Sequence, residues 1–187
     1  MKFAFLTGLR RYARGLLVLG ALSLLAACAG PKPADYAAEK PQLSLREYFN
    51  GTLDAYGIFT DRSGKVVRRF TVTIKASWQG NEGTLQEDFV YSDGETQQRI
   101  WHITDDGNGQ YTGRAGDVIG TAKGVASGNA LQWQYVLRLP VDDTTYDVTF
   151  DDWMFLMNDR VMLNRATMSK FGITLGQVTL SFYKRDR

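Results

Sequence analysis

The sequence VVRRFTVTIKASW, at residues 66–78, alternates two kinds of side chain along its length. Every even position from Phe70 to Trp78 is apolar, whereas every odd position from Arg69 to Ser77 is polar or charged. A period of two predicts a β-strand with one face in the core and one face in water. This stretch therefore indicates a sheet that is buried on one side.

The same alternation recurs at residues 131–139 and 178–182, and clusters rich in Gly, Asp and Asn separate the apolar runs. Counting the runs predicts about nine or ten antiparallel strands, joined mostly by short turns. A meander of that length must close or split into two sheets, because an open twisted sheet leaves its edges exposed. We therefore expect an all-β fold, an antiparallel up-and-down β-barrel.

A short helix is expected just before the first strand. Ser44 and Glu47 have the spacing of a capping box, in which the two residues satisfy each other's backbone N–H groups. Leu45 and Tyr48 supply an apolar side, and Gly51 ends the helix.

Residues 153–172 leave two interpretations open. They continue the strand pattern, or the apolar residues Trp153, Met154, Leu156 and Met157 begin a helix.

Glycines recur between residues 113 and 128, at Gly113, Gly116, Gly120, Gly124 and Gly128. On a continuous strand the four even-numbered glycines share one face, which allows sharp coiling and lets a bulky neighbour lie across the backbone. A phosphate-binding loop would need glycines before a helix, and no helical pattern follows them. Bulged barrel strands are the favoured interpretation.

The first 27 residues have the pattern of an export signal. Lys2, Arg10, Arg11 and Arg14 form a basic start, and a run of 13 mostly apolar residues follows from Gly15 to Ala27. A membrane-spanning helix needs about 20 apolar residues. The run is too short for stable spanning and ends in small residues, as a cleaved signal peptide does.

Cys28, the single cysteine, follows this run directly. Leu25-Ala26-Ala27-Cys28 resembles the bacterial lipobox, which implies signal cleavage before Cys28 and lipid attachment to it. Residues 28–42 would then be a lipidated, proline-containing flexible tether, and residues 43–187 a single barrel domain. By resemblance to Gram-negative sorting patterns, Ala29 rather than Asp after the cysteine implies the outer membrane, with the domain facing the periplasm of the bacterial envelope.

Cleavage also changes the net charge. Lys+Arg falls from 22 to 18 while Asp+Glu stays at 20, so the mature chain is near −2. The remaining basic residues form no cluster with interleaved aromatic residues. Nucleic acid is therefore not an expected partner.

The residues typical of catalysis or metal binding do not form a recognisable arrangement. His102 is the only histidine, and Cys28, which is expected to carry lipid, is then no candidate for catalysis or metal binding. Asp105–Gly109 lacks the spaced ligands of a calcium loop and indicates a hairpin turn. Asp151 and Asp152 point to opposite faces of a strand and cannot act side by side. We expect no catalytic residue, metal or cofactor, and hence no enzyme.

Seven stretches of the chain from about Leu43 onward resemble one known family. They are YGIF at 56–59, DRSG at 61–64, FVYSDGE at 89–95, GNAL at 128–131, DDWM at 151–154, NRA at 164–166 and KFG at 170–172. Together they are similar to the proteobacterial lipoproteins catalogued as DUF3833. The resemblance implies an envelope protein with one domain, and it implies no mechanism.

A second resemblance, to the lipocalin- or calycin-like barrels, rests on the short helix and Phe49-x-Gly51 before the first strand. Leu53 stands where the lipocalin pattern has tryptophan, so this resemblance implies a shared barrel and no more.

The aromatic residues carry the functional hypothesis. Phe70 and Trp78 share one strand face, and Trp133 and Tyr135 share another, so these four rings are candidates to line an apolar ligand cavity. The alternative is that they only fill the core. We expect a membrane-anchored lipoprotein that binds an apolar or lipid-like ligand, with a structural or assembly lipoprotein that docks proteins as the second hypothesis and an enzyme as the third.

Overall fold

The computed structural model describes residues 30–141 and 144–186, and within them it contains one α-helix, one 3₁₀ turn and ten β-strands. The 3₁₀ turn spans Pro33–Tyr36 and the helix, α1, spans Leu45–Tyr48. The strands are β1 Gly51–Asp61, β2 Val66–Gln79, β3 Glu82–Tyr91, β4 Thr96–Gly107, β5 Gln110–Arg114, β6 Val118–Ser127, β7 Ala130–Val141, β8 Thr144–Leu156, β9 Val161–Lys170 and β10 Ile173–Lys184.

The strands form a closed antiparallel barrel in which each strand pairs with its neighbours along the chain. The first and last strands pair as well, from Leu53 opposite Lys184 to Asp61 opposite Gly176, so that the sheet has no free edge. The predicted up-and-down barrel is therefore confirmed, with the upper of the two predicted strand counts.

Helix α1 covers one end of the barrel, which we call the helix end. Ser44 caps the helix by accepting a hydrogen bond from the backbone N–H of Glu47 at 3.3 Å, as the capping-box spacing predicts. The Tyr48 hydroxyl donates to the carbonyl oxygen of Arg160 at 3.0 Å. Trp78 Nε1 donates to the carbonyl oxygen of Phe49 at 2.8 Å. The last two bonds fasten the helix end to the β8–β9 turn and to β2.

The chain divides into two units, Met1–Lys32 and Pro33–Arg187, and the barrel lies in the second. The expected signal peptide and Cys28 lie outside the described residues. Within the second unit, the Tyr36 ring packs edge-on against Phe155 with the ring centroids 5.2 Å apart, and the Leu43 N–H donates to the Gly128 carbonyl at 2.8 Å. From Pro33 onward, therefore, the segment predicted as a flexible tether packs on the barrel wall.

Residues 153–172 form parts of β8 and β9 rather than a helix. The outward-facing Trp153 is 8% exposed because Tyr36 packs against it, with the ring centroids 5.7 Å apart. Asp152 and Met154 alternate with it and face the lumen. Both faces of β8 are covered at this point, and this is why its sequence lacks the clear alternation of a half-exposed strand.

Only three of the glycines of 113–128 lie in strands, Gly113 in β5 and Gly120 and Gly124 in β6, because Gly116 and Gly128 lie in the turns that follow these two strands. Gly113 on β5 and Gly124 on β6 both lie beneath the Trp133 side chain. A Cβ atom at Gly113 would be 2.7 Å from Trp133 Cζ2, and one at Gly124 would be 2.7 Å from Trp133 Cζ3. The predicted packing of a bulky neighbour across the backbone is present at these two glycines.

We expect Gly124→Ala to lower the free energy of unfolding by about 1–3 kcal/mol, because the added methyl group overlaps a rigid, buried indole. Urea denaturation measures the effect. Gly116→Ala is the matched control, since its Cβ meets no atom within 4 Å and should leave stability within about 0.5 kcal/mol of wild type. Equal stability of the two variants would contradict the packing described for Trp133.

Candidate ligand site in the barrel lumen

The barrel lumen contains a cavity of about 160 Å³. It extends from Leu45 and Phe49, under the helix, toward Tyr91 and Leu139 near the opposite end. Most of its lining is aliphatic or aromatic. The polar exceptions are few: Glu87, Gln97, Arg99, Tyr135, Asp152 and Asn164. An apolar cavity with a small number of convergent polar groups is the usual form of a small-molecule site.

One side of the cavity is an aromatic wall. The Trp101 ring meets Trp133 edge-on at a centroid distance of 5.6 Å and Tyr135 at 5.4 Å. Tyr135 stacks on Phe150 with the centroids 5.1 Å apart. Because Trp133 lies over the backbone of two glycines, it can reach across β5 and β6 to Trp101 on β4. Gly113 and Gly124 thus leave the space that Trp133 needs to join this wall.

An ionic network lies beside the aromatic wall. Arg99 Nη2 is 2.8 Å from Asp117 Oδ2, and Arg99 Nη1 is 3.8 Å from Glu87 Oε2. Arg99 Nε also donates to both oxygens of Asp117, at 3.1 and 2.9 Å. The side chains of Arg99 and Glu87 are only 12% and 14% exposed. The single guanidinium is thus shared between two carboxylates from β3 and the β5–β6 turn.

Two carboxyls of the lumen titrate close to neutrality. Burial raises the pKa of Glu87 to about 7, against the attraction of Arg99, which lowers it. Burial likewise raises the pKa of Asp152 to about 7, and the hydrogen bond from Tyr135 partly opposes this shift. Tyr135 donates that bond to Asp152 Oδ2 at 3.4 Å. Both groups therefore exchange a proton near neutral pH.

Two polar atoms of the lumen have no hydrogen-bond partner among residues 30–141 and 144–186: Asp152 Oδ1 and Asn164 Nδ2. Their residues are 7% and 4% exposed. On the β8–β9 pair Asn164 stands opposite Met154, so it is the diagonal neighbour of Asp152 on the face that lines the cavity. Buried polar groups are normally paired, since an unmet hydrogen bond costs about 1–3 kcal/mol. These two atoms are therefore available to a bound molecule.

The structure brings three of the four predicted ligand residues to the cavity. Phe70, Trp133 and Tyr135 line it. Trp78 does not belong to the lining, because its indole is engaged by the Phe49 carbonyl at the helix end and lies over Gly83.

The sequence interpretation missed the polar residues Glu87, Arg99 and Asn164. A signal was present, since Glu87 stands between Leu85 and Phe89 in the inward register of β3. A charged residue among inward-facing apolar residues of a strand destabilises the fold unless its charge is paired or it has a function.

The other residues considered for chemistry lie outside the cavity. His102 is exposed on β4, and Asp105 accepts from the Gly107 N–H at 3.0 Å in the β4–β5 hairpin. Asp151 faces outward and accepts from Gln132 at 2.8 Å. Asp147 pairs with Arg138 on the surface at 3.1 Å. Among residues 30–141 and 144–186, no three His, Cys, Asp or Glu side chains are grouped so as to hold a metal ion.

Comparison with known families gives a match over most of the chain. Residues 22–184 match the family described as "Protein of unknown function (DUF3833)". The chain belongs to the DUF3833 family. The resemblance seen in the seven short stretches is thereby confirmed, whereas lipoprotein status does not follow from membership alone. No curated protein matches the sequence.

Among solved structures, the barrel is similar to the S-type phycobiliprotein lyase CPES from Guillardia theta. The two share a TM-score of 0.58 and 7% sequence identity, over 84% of this chain and 99% of the lyase chain. A likeness at that identity shows a common lipocalin-like barrel fold. In the described part of the chain, no helix has the length and hydrophobicity that crossing a membrane requires.

The prediction that this chain is not an enzyme needs correction. It rested on the lack of a recognisable catalytic arrangement in a β-barrel, yet a barrel of the same fold is named a lyase. The fold is therefore no argument against catalysis.

We expect the free energy of unfolding to decrease as the pH rises from about 5 to about 7. The pKa values of Glu87 and Asp152 are higher in the folded chain than in the unfolded chain, so the folded chain binds more protons in this window. Each carboxyl then contributes a slope of up to about 1.4 kcal/mol per pH unit. Urea denaturation at several pH values measures the slope.

Asp152→Asn should make this slope shallower and raise stability at pH 8, because it removes a charge that the lumen does not neutralise. Asp151→Asn, on the outer face, is the control and should keep the wild-type slope. A wild-type stability that is flat or rising between pH 5 and 7 would contradict the shifted pKa values. The surface carboxyls with lowered pKa values titrate in more acidic solution, outside this window: Asp54, Asp61, Asp88 and Asp93.

Proposed function

We propose that this protein is an envelope lipoprotein, attached to the membrane through Cys28, whose barrel binds a small, largely apolar molecule. The observation that carries the binding proposal is the lumen cavity with its two unpartnered polar atoms, Asp152 Oδ1 and Asn164 Nδ2. A lumen that served only as a core would gain stability by filling the cavity and replacing these polar groups with apolar ones.

The size of the cavity limits the ligand. A cavity of about 150 Å³ lined by apolar side chains accommodates a molecule of the size of benzene, and this lumen holds about 160 Å³. A short alkyl chain or one ring fits without rearrangement. A larger ligand requires movement of partly buried lining residues such as Phe59, Phe89 and Leu139, which lie away from the helix end.

The expected affinity is modest. An eight-carbon chain that loses about 200 Å² of apolar surface gains about 5 kcal/mol. The entropy lost on association offsets part of this gain, which leaves a dissociation constant of roughly 1 mM or weaker for a purely apolar interaction. Tighter binding would require the polar groups of the lumen to take part.

Octanol should bind saturably and change the tryptophan fluorescence, since Trp101 and Trp133 lie in the cavity wall. Ala166→Leu should weaken this binding about tenfold or more, because the added atoms occupy the cavity at a residue that is only 3% exposed. Thr167→Leu places the same side chain on the outer face of β9, opposite Asp151, and should bind octanol as wild type does. If wild type does not bind octanol, the lumen is a packed core and the docking hypothesis takes its place.

Lipid attachment is tested separately. The intact mass of the wild-type protein, extracted from bacterial membranes, should correspond to a chain that begins at Cys28 and carries acyl groups. Cys28→Ser should lack the acyl mass and keep its signal or be released without detergent, because the nucleophilic thiol is gone. A wild-type mass without acyl groups would refute the anchor and leave the binding proposal standing.

A further inference from the structure

We propose that the ligand of the lumen is an amphiphilic amine, whose protonated nitrogen lies between the Asp152 carboxylate and the aromatic wall. The inference rests on the proposed function, since it assigns a chemical class to the molecule that the cavity binds. It follows from the charge balance of the lumen, the surroundings of Asp152 and the two unpartnered atoms.

The charges inside this part of the barrel do not balance. Three carboxylates face one guanidinium, that of Arg99. Asp117 forms an ion pair with Arg99 through contacts of 2.8–3.1 Å, and a Glu87 oxygen lies 3.8 Å from the same guanidinium. Within the described residues, no Lys or Arg nitrogen lies within ion-pair distance of Asp152. When it is ionised, Asp152 therefore lacks a counter-ion.

The buried carboxyl of Asp152 has few hydrogen-bond partners among the described residues. Its one hydrogen bond, from Tyr135, is long at 3.4 Å, and Oδ1 has no partner. An uncompensated charge in such a site is strongly destabilising unless it is neutralised by a proton or by a cation. A cationic ligand group supplies the missing charge and a hydrogen-bond donor together.

The surroundings of Asp152 favour an organic cation. On the β7–β8 pair Trp133 stands directly opposite Asp152, and the next inward pair is Tyr135 and Phe150. Side chains opposite one another on a strand pair have Cβ atoms about 4.5–5.5 Å apart. Three aromatic rings thus border the carboxylate, and ring faces attract ammonium groups by about 2 kcal/mol where water is excluded.

An anionic head group is disfavoured by the same arrangement. A carboxylate in the cavity would add negative charge beside Glu87 and Asp152, while the Arg99 guanidinium is already held by Asp117 through three contacts. The unpartnered N–H of Asn164 accommodates a neutral oxygen on the ligand next to its amine. A hydroxyl or carbonyl oxygen satisfies this donor without adding charge.

The titratable and charged groups around Asp152 are those of β3, β4, β7 and its own strand: Glu87, Arg99, Tyr135 and Asp151. The ammonium group stabilises the ionised carboxyls, so binding releases protons and the affinity for an amine should increase from pH 6 to pH 8. A primary alkylamine stays protonated over this range, because the pKa of an alkylammonium is about 10.

The experiment compares octylamine, octanol and octanoate, which share one chain and differ in the head group. Isothermal titration calorimetry on residues 28–187 with Cys28→Ser, the expected mature chain without its acyl groups, gives the three affinities at pH 6 and pH 8 in detergent-free buffer. At pH 8, octylamine should bind about tenfold tighter than octanol or more, and octanoate should bind more weakly than octanol. At pH 6 the preference for the amine should decrease.

Asp152→Asn should abolish the preference for octylamine, so that its affinities for octylamine and octanol come within about twofold of each other, and a cooperative urea unfolding transition shows that the variant folds. Asp151→Asn should keep the preference, since this residue faces outward. If octanol binds as tightly as octylamine, or octanoate more tightly, the amine assignment is wrong and the binding proposal survives. If none of the three binds, the proposed function fails, and the amine assignment fails with it.

Discussion

The pairing of β1 with β10 is the constraint on which the rest of this structure depends. It joins strands from the two ends of the domain, from Leu53 opposite Lys184 to Asp61 opposite Gly176. Just beyond the ladder, Arg185 holds Asp54 through two hydrogen bonds of 2.7 and 2.6 Å. Without this pairing the meander would be an open sheet with two long unpaired edges, and its inner face would be exposed to solvent. Closure turns that face into a lumen that excludes most of the solvent.

A closed lumen changes the chemistry of the groups inside it. Arg99, Glu87 and Asp152 lie on strands where their neighbours are apolar, and closure removes the water that would otherwise solvate them. The pKa values of both carboxyls therefore rise toward neutrality, mainly through burial. An all-apolar lumen would be easier to stabilise, which supports the proposal that these polar groups bind a ligand.

The two ends of the barrel differ in how firmly they are closed. At the helix end, Tyr48 donates to the Arg160 carbonyl and Trp78 donates to the Phe49 carbonyl, while the helix residue Leu45 is buried against the lumen. Toward the other end, Phe59, Phe89 and Leu139 are only partly buried. The proposed ligand would reach the cavity with the smaller loss of packing from this second end, since no buried hydrogen bond of the helix would have to break.

The sequence by itself determined the strand class, the capped helix at Ser44 and the closed meander, because alternation and capping are local properties of the backbone. It placed Phe70, Trp133 and Tyr135 on inward faces, and they line the cavity. Only the tertiary structure decided that Trp78, on an equally regular strand, packs under the helix. It also decided that Tyr36 packs over Trp153. The register of the barrel likewise places Arg99 beside Asp117 and Glu87 and not beside Asp152. The physical reason is that periodicity fixes which face a side chain occupies, whereas the register and closure of the whole sheet fix which side chains meet across the lumen.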